Sequence, residues 1–330
     1  MRISIIGAGT WGTALARMTC LLGHEVRLWA REPEVVQSIR SRRVNGLFLS
    51  DVELPLQIVV TGDFIEAVEG SEIVLLAVPS QYLREVLEQL APHVPANAFF
   101  VSATKGLEQG TCLRMSEVIG EVAPRFKARV VAISGPTFAL EVVKGYPTAL
   151  AAAGAEQGLA KIVQTEFSTT NFRIYTNDDI IGVELGGAVK NVIAIASGVG
   201  AGLGLGHNPL AALVTRGLAE MSRLSEALGG RRDTLSGLAG MGDLLLTSTA
   251  PLSRNRTVGY ELGRGKPLEE ILASMQTVAE GVPTTRATVT LAQKHSVEMP
   301  ITFQMDRLLR AETTPQEAIH ELMSRPLREE

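Results

Sequence analysis

The sequence is poor in aromatic residues, in cysteine and in excess charge, and each shortage excludes a class of protein. Phe, Trp and Tyr make up 5% of the 330 residues, and the formal net charge is −4. Without a basic excess we predict no nucleic-acid partner, because phosphate backbones are held by clustered Lys and Arg. Cys20 and Cys112 lie far apart, and neither they nor the five histidines have metal-ligand spacing. We therefore expect a reduced, cytoplasmic protein without a metal.

No stretch of the chain has the composition of a signal peptide or a membrane span. Met1-Arg2 leads directly into an apolar run and a glycine loop, where a cleavage region would otherwise stand. The most apolar stretch, residues 186–206, contains Lys190, Asn191 and seven glycines. Its aliphatic content is too low for a helix that faces lipid, so we predict a buried helix followed by a glycine-rich loop.

Apolar runs alternate with helical patterns through the first half of the chain. The strand-like runs are residues 3–6, 25–29, 58–61, 73–78, 98–102, 130–133, 148–153 and 172–175. The helical patterns between them are residues 12–22, 33–40, 81–90, 114–119 and 156–166. After about residue 178 mostly helical patterns remain, for example 210–228, 268–275, 285–294 and 304–311.

This alternation predicts an α/β fold with a doubly wound, mainly parallel sheet that carries helices on both faces. The length of 330 residues also exceeds what one hydrophobic core usually serves. We therefore expect an N-terminal Rossmann-type domain, residues 1–180, and a C-terminal all-helical domain, residues 181–330.

The stretch "ISIIGAGTWGTALA", residues 3–16, places Gly7, Gly9 and Gly12 between a strand-like run and a small-residue helix. A lone GxGxxG pattern is weak, but this position after an N-terminal strand is the one that dinucleotide binding requires. Gly7 would permit the tight turn, Gly9 the approach of a pyrophosphate, and Gly12 close packing of helix on strand. The sequence therefore predicts a nicotinamide dinucleotide on this loop.

The end of the second strand, "VRLWARE", bears on which dinucleotide is bound. An acidic residue there would accept hydrogen bonds from the adenosine 2′-hydroxyl, but the aligned position is Ala30, followed by Arg31. A guanidinium pairs with a 2′-phosphate or stacks on adenine, which favours NADP(H). Glu32 leaves NAD(H) open, and the alternative for Arg31 is a solvated surface charge.

Several polar residues follow predicted strands, where ligands bind in open parallel sheets. "SATKG" places Lys105 at such an end, although a surface lysine is the equal alternative. "AISGPTFALE" ends another strand, and Pro136 suits the first turn of a helix. We expect N–H groups near Gly135 and Thr137 to lie at that helix start and to meet a phosphate or carboxylate.

Lys190 stands in "ELGGAVKNVIAIAS", where its helical neighbours are small or apolar and none is acidic. Such a lysine either extends its amine to water or points into a cleft at a domain junction. Burial would lower its pKa, by as much as ~3–5 units, and so let it donate a proton near neutral pH.

Two later motifs carry further polar residues. In "GLAGMGDLLLTST", Asp243 follows a glycine turn, and a helix N-cap is the simplest interpretation. "SRNRTVG" packs two guanidiniums, a hydroxyl and an amide together, those of Ser253, Arg254, Asn255 and Arg256. This group would bind a phosphate dianion or form a solvated loop. In "VAEGVPTT", Glu280 would hydrogen-bond a ribose or lie near a helix start.

The ordered set "GAGTWGTALA", "ATKGLE", "SGPTFALEV", "ELGGAVKNVIAIASG", "GLAGMGDLLLTST", "SRNRTVG" and "VAEGVPTT" resembles the bacterial NAD(P)-dependent glycerol-3-phosphate dehydrogenases. The resemblance spans nearly the whole chain. It implies a Rossmann domain followed by a helical domain, usually as a homodimer. It also implies reversible reduction of dihydroxyacetone phosphate to sn-glycerol 3-phosphate for glycerophospholipid synthesis in the cytoplasm.

The resemblance assigns a role to each matching position. Lys190 matches the catalytic acid/base, and Lys105 looks like a residue shared between cofactor and substrate. The implied cofactor contacts are Gly7, Gly9, Thr10, Trp11, Gly12, Arg31, Lys105, Ala139, Arg254, Val278 and Glu280. The implied substrate contacts are Lys105, Gly135, Thr137, Lys190, Asp243, Ser253, Arg254 and Asn255. Thr10 and Thr137 stand where the family often has serine, and both keep the hydroxyl.

Two other functions are open at this point. A β-hydroxyacid or 6-phosphogluconate-type dehydrogenase also joins a Rossmann domain to a helical one, although the "SRNR" cluster favours a triose phosphate. A protein that senses NADP(H) without turnover is the second alternative, and it would have no need of a buried lysine as proton donor.

Overall fold

The structure, a computed structural model, describes residues 1–156, 158–275 and 277–327. The chain divides into two compact units. The first is Met1–Lys105 with Leu113–Glu184, and the second is Gly106–Cys112 with Leu185–Glu330. The predicted division after residue 180 falls inside a helix, Ile180–Gly202. The sequence pattern gave no sign that residues 106–112 associate with the second unit.

The first unit is built on strands joined by helices. Its strands are β1 (Arg2–Ile6), β2 (Glu25–Trp29), β3 (Val44–Asn45), β4 (Leu49–Glu53), β5 (Val59–Thr61), β6 (Ile73–Leu76), β7 (Phe99–Ser102), β8 (Val130–Ser134), β9 (Thr148–Gly154) and β10 (Phe172–Asn177). Its helices are α1 (Thr10–Leu21), α2 (Pro33–Arg42), α3 (Phe64–Val68), α4 (Leu83–Leu90), α5 (Met115–Val122), α6 (Ala139–Val143) and α7 (Leu159–Phe167).

Eight of these strands form one sheet, in the order β10-β9-β8-β7-β6-β1-β2-β5. Every neighbouring pair is parallel except β8 and β9, which are antiparallel. The predicted mainly parallel sheet is therefore confirmed. Strands β3 and β4 form a separate antiparallel hairpin that the sequence pattern did not predict.

Alternation along the strands explains the helices on both faces. Ile3 and Ile5 of β1 belong to one buried apolar cluster, while Ile6 belongs to a second. In β6, Ile73 and Leu75 join the first cluster, and Val74 and Leu76 join the second. Because successive side chains of a strand point to opposite faces, a strand apolar at every position must be covered on both sides.

In the described residues of the second unit from Leu185 onward, the regular elements are helices joined by loops, whereas Gly106–Cys112 contains no helix. Its helices are α8 (Ile180–Gly202), α9 (His207–Ala227), α10 (Arg232–Ser236), α11 (Asp243–Thr249), α12 (Arg254–Gly263), α13 (Leu268–Ala273), α14 (Gly281–Lys294), α15 (Pro300–Leu309) and α16 (Pro315–Met323). α8 begins before Leu185 and is long and apolar enough to cross a membrane, but 89% of its most apolar window is buried in the protein. The predicted buried helix is confirmed.

Glycines allow α8 and α12 to touch through their backbones. A Cβ on Gly198 would lie 2.0 Å from the carbonyl oxygen of Arg256, and one on Gly259 would lie 1.9 Å from that of Ile195. Both distances are far inside van der Waals contact, so no larger residue fits at this crossing. The glycines of the apolar stretch therefore bring two helices together.

Candidate functional site

The glycine loop between β1 and α1 has the geometry of a phosphate cradle. Gly7 has φ +114°, and a Cβ on Gly12 would lie 1.9 Å from the Gly7 carbonyl oxygen. A Cβ on Gly9 would meet nothing within 4 Å. Gly9 is also the N-cap of α1 and provides no side-chain cap. The loop thus leaves open space at the positive end of a helix, which fits a dinucleotide pyrophosphate.

The β3–β4 hairpin lies outside the GxGxxG motif and supports the glycine loop through hydrogen bonds. The buried Asn45 side chain donates to the Ala8 carbonyl oxygen at 2.7 Å and to the Thr13 hydroxyl at 2.8 Å. Thr10 donates its hydroxyl to the Phe48 carbonyl oxygen at 3.1 Å. The loop is therefore held by a segment that the sequence pattern did not connect with it.

The end of β2 opens onto a cavity of about 680 Å³, lined in part by Ala30 and Arg31. Arg31 is largely exposed, and it forms an ion pair with Glu32 at 2.9 Å. Its guanidinium also lies over the Tyr82 ring, 5.6 Å from the ring centroid. Adenosine would find both a cation and an aromatic face here.

Lys105 lies just beyond the carboxyl end of β7, next to the end of β8. Its Nζ donates to the carbonyl oxygen of Gly135 at 3.0 Å, and the Thr137 hydroxyl donates to the same oxygen at 3.2 Å. The structure therefore brings these three predicted site residues together.

The prediction of a helix start at Gly135 and Thr137 is wrong. Helix α6 begins at Ala139, after the N-cap Phe138. Before that point the chain passes close to β9, because a Cβ on Gly135 would lie 2.7 Å from the Leu150 Cα. The predicted cofactor contact Ala139 is thus the first helical residue.

Lys190 is buried on α8, with 6% of its surface exposed, so its amine does not extend to water. Its Nζ donates to the Asp243 carboxylate at 2.6 Å and to the Thr247 hydroxyl at 2.6 Å. Asp243 is 1% exposed. A buried ammonium is tolerated only when it is paired and hydrogen-bonded, as it is here. The cluster therefore holds a buried ammonium whose position is fixed by a carboxylate and a hydroxyl.

The simplest interpretation of Asp243, a helix N-cap, is wrong. Asp243 is the first residue of α11, and the preceding Gly242 holds the cap position. The carboxylate is turned instead toward Lys190. Gly186 on α8 makes this approach possible, because a Cβ there would lie 2.4 Å from the Ala239 carbonyl oxygen.

The "SRNR" motif forms the start of α12 and not a solvated loop. Ser253 is the N-cap, and its hydroxyl accepts from the Arg256 N–H at 3.2 Å. Asn255 is buried, donates to Asn191 at 2.9 Å and accepts from the Gly281 N–H at 2.9 Å. The motif therefore places a capped helix N-terminus beside ordered amides, an arrangement suited to an anion.

Arg254 begins α12 and keeps part of its side chain exposed. The surrounding protein atoms lower the pKa of its guanidinium, and the carboxylate of Glu280 partly offsets this effect. Glu280 is the N-cap of α14, and Val278, two residues earlier, is exposed. Arg254, implied to contact both substrate and cofactor, therefore lies within electrostatic range of Glu280, one of the two implied late cofactor contacts.

Two profiles of known families match the chain almost end to end. "NAD-dependent glycerol-3-phosphate dehydrogenase N-terminus" matches residues 2–160, and the corresponding "C-terminus" matches residues 179–320. The chain belongs to the NAD-dependent glycerol-3-phosphate dehydrogenase family.

Individual members of the family agree with this assignment. "Glycerol-3-phosphate dehydrogenase [NAD(P)+]" of Koribacter versatilis is 58% identical, over 98% of this chain and 97% of the relative. The crystal structure of the Coxiella burnetii glycerol-3-phosphate dehydrogenase superposes with a TM-score of 0.93 at 41% identity, covering 98% and 99% of the two chains. A Plasmodium falciparum glycerol-3-phosphate dehydrogenase structure, at 23% identity and a TM-score of 0.89, shares the fold.

Sequence reasoning missed two residues that contact the predicted site residues, Thr247 and Asn191. Thr247 lies four residues after Asp243 on one helix, a spacing that brings side chains together. Asn191 directly follows Lys190, and its amide contact with Asn255 links α8 to α12. The α11 spacing is a local signal that reveals Thr247, whereas the Asn191 contact joins residues 64 positions apart.

Proposed function

We propose that the protein catalyses the reversible NAD(P)H-dependent reduction of dihydroxyacetone phosphate to sn-glycerol 3-phosphate. The observation that carries this proposal is the buried amine of Lys190, hydrogen-bonded at 2.6 Å to both Asp243 and Thr247. A ketone reduction needs a proton at the carbonyl oxygen, and a positioned ammonium provides one.

The cofactor would lie on the first unit, with its pyrophosphate on the loop of Gly7, Gly9 and Gly12. Thr10 and Trp11 would flank it, and Arg31 would meet the adenosine end. Bound NAD(P)H supplies the hydride. The loop leaves room for the pyrophosphate of this cofactor, because no heavy atom lies within 4 Å of the position that a Cβ on Gly9 would take. Further contacts from Lys105, Ala139, Arg254, Val278 and Glu280 are supported by the family resemblance.

The second unit would supply the proton and hold the substrate. Lys190 donates its proton to the oxygen that becomes the hydroxyl, and Asp243 keeps the amine oriented. Arg254 and Asn255 bind the phosphate at the far end of the three-carbon chain, with Ser253 at the same helix start. Binding energy from the phosphate then positions the reacting carbonyl.

Family resemblance supports Lys105, Gly135 and Thr137 as further substrate contacts. The Lys105 amine, which donates to the Gly135 carbonyl oxygen at 3.0 Å, would orient or polarise the ketone. In the reverse direction Lys190 accepts the proton from the hydroxyl, so one residue serves as acid and base.

We also propose that the enzyme is a cytoplasmic homodimer whose product feeds glycerophospholipid synthesis. Family resemblance supports these assignments. Light scattering coupled to size-exclusion chromatography tests the dimer, and a monomeric mass at micromolar concentration would contradict it.

A spectrophotometric assay tests the reaction directly. Dihydroxyacetone phosphate is mixed with NADPH or NADH, and the loss of reduced-nicotinamide absorbance is followed. We expect turnover with this substrate and none with 6-phosphogluconate plus the oxidised cofactors. Absence of turnover with both reduced cofactors would reject the proposal.

A further inference from the structure

Arg31 and Glu32 form an ion pair at the entrance to the cavity beyond β2. Two nitrogens of Arg31, Nε and Nη2, donate to one oxygen of Glu32 at 3.1 and 2.9 Å. The side chain of Arg31 is 67% exposed and that of Glu32 is 26% exposed. An ion pair this open to solvent is weak, so a ligand with greater charge can displace the carboxylate.

A second arginine that lines the cavity, Arg40, already donates hydrogen bonds to the protein backbone. The cavity of about 680 Å³ is lined by Arg31, Arg40, Ala30, Pro33, Gln37 and Gly62, among others. Arg40 donates through Nε and Nη2 to the Val60 carbonyl oxygen, at 3.2 and 3.0 Å. Arg31, by contrast, contacts a carboxylate and an aromatic face that it can exchange for a ligand.

We propose that Glu32 sets the preference of the enzyme between NADPH and NADH. This inference rests on the cofactor site of the proposed function. A 2′-phosphate that binds Arg31 either displaces Glu32 or shares the guanidinium with it, because Glu32 engages only Nε and Nη2. In both cases the carboxylate remains beside the phosphate and repels it. A 2′-hydroxyl meets no such repulsion, and a carboxylate accepts its hydrogen bond. Glu32 therefore restrains the NADP(H) preference that Arg31 alone would give.

Glu34 offers a matched control. It lies in the first turn of the same helix, α2, and is exposed. Glu34→Gln removes one negative charge from the helix N-terminus, as Glu32→Gln does, but leaves the Arg31 ion pair intact. The comparison separates a specific effect on Arg31 from a general change of local charge.

Binding of two nucleotides to the full-length protein tests the inference without catalysis. Adenosine 2′,5′-bisphosphate and adenosine 5′-monophosphate differ only in the 2′-phosphate, and calorimetry gives the Kd of each. We expect Glu32→Gln to tighten the bisphosphate by about tenfold and to change the monophosphate by less than about threefold. Glu34→Gln should shift both by less than about threefold. Equal effects of the two variants on the bisphosphate would overturn the inference.

Steady-state kinetics give the second readout. In Glu32→Gln the ratio of kcat/KM for NADPH to that for NADH should rise about tenfold. In Arg31→Gln the same ratio should fall at least tenfold, because the cation facing the 2′-phosphate is gone. An unchanged ratio in Glu32→Gln would also overturn the inference. If the wild type reduces no dihydroxyacetone phosphate, the proposed function fails, while the nucleotide binding still decides the role of Glu32.

Discussion

Replacing Lys190 by methionine tests both the chemistry and the energetics of the buried cluster. Proton donation by a positioned side chain contributes typically ~10²–10⁴ in rate, which corresponds to about 3–5 kcal/mol of activation free energy. We therefore expect kcat to fall by about that factor in Lys190→Met.

The same substitution also removes the cation that faces Asp243. Lys190 and Asp243 are 6% and 1% exposed, and their charged atoms lie 2.6 Å apart. Removing one partner of a buried ion pair costs about 3–5 kcal/mol of folding free energy. A loss of activity in the single variant alone would therefore be ambiguous between chemistry and unfolding.

A double variant, Lys190→Met with Asp243→Asn, resolves the ambiguity. Both charges are gone, so most of the lost stability should return, because neutral replacements of a buried pair are often tolerated. The activity should not return, since no proton donor is restored. Denaturant unfolding gives the stability, and the dihydroxyacetone phosphate assay gives kcat.

Two outcomes would refute this reasoning. A double variant that is as stable as the wild type and keeps kcat within about tenfold would exclude Lys190 as the proton donor. A Lys190→Met variant that loses less than about 1 kcal/mol of stability would show that the pair does not carry buried charge. The Kd of NADPH, measured by fluorescence, should stay within about twofold in each variant, because neither Lys190 nor Asp243 is among the proposed cofactor contacts.

Three further predictions follow from other parts of the structure. With NADPH saturating, so that the proposed cofactor contact of Arg254 does not limit the rate, Arg254→Ala should raise the KM for dihydroxyacetone phosphate by about tenfold or more and leave the KM for unphosphorylated dihydroxyacetone nearly unchanged. Equal losses for both substrates under these conditions would place the phosphate elsewhere. Gly198→Ala should lower the free energy of unfolding by about 1–3 kcal/mol in chemical denaturation, because its Cβ would lie 2.0 Å from a backbone oxygen. Gly200→Ala on the same helix is the control: its Cβ would lie 3.8 Å from a flexible Leu205 methyl, so the free energy of unfolding should stay unchanged or rise slightly. Burial raises the pKa of Glu220 to about 7, above its usual 4.5. The folded state therefore holds its proton more tightly, and its contribution to stability is complete below about pH 4.5 and is lost as the pH rises through 7. Unfolding of the wild type and of Glu220→Gln between pH 4 and 8 should show the wild type losing up to about 3 kcal/mol relative to the variant, and a constant difference would contradict the raised pKa.

The sequence predicted what depends on local periodicity and missed what depends on distant pairing. The strand Arg2–Ile6 and the loop after it follow from an apolar run and three spaced glycines within fifteen residues. The hairpin of β3 and β4 was missed because β3 has two residues and no alternation to detect. Its Asn45 supports the loop from 37 residues away, a contact that no local pattern encodes.

The candidate site shows the same limit. The helical neighbours of Lys190 correctly indicated an apolar, small-residue face, and the lysine is buried there. Its carboxylate partner lies 53 residues later on another helix, so reasoning along one helix found no acidic group. The role of Gly186 was hidden for the same reason, since it accommodates the chain that carries this partner.

The crossing of α8 and α12 has a consequence for motion. Packed helices usually slide past one another by exchanging side-chain rotamers in the layer between them. At Gly198 and Gly259 there is no such layer, because main chain rests on main chain. We therefore expect the two helices to move together at this crossing in any closing movement within this unit. The amine of Lys190 and the amides of Asn191 and Asn255 would then keep their mutual spacing through every stage of a catalytic cycle.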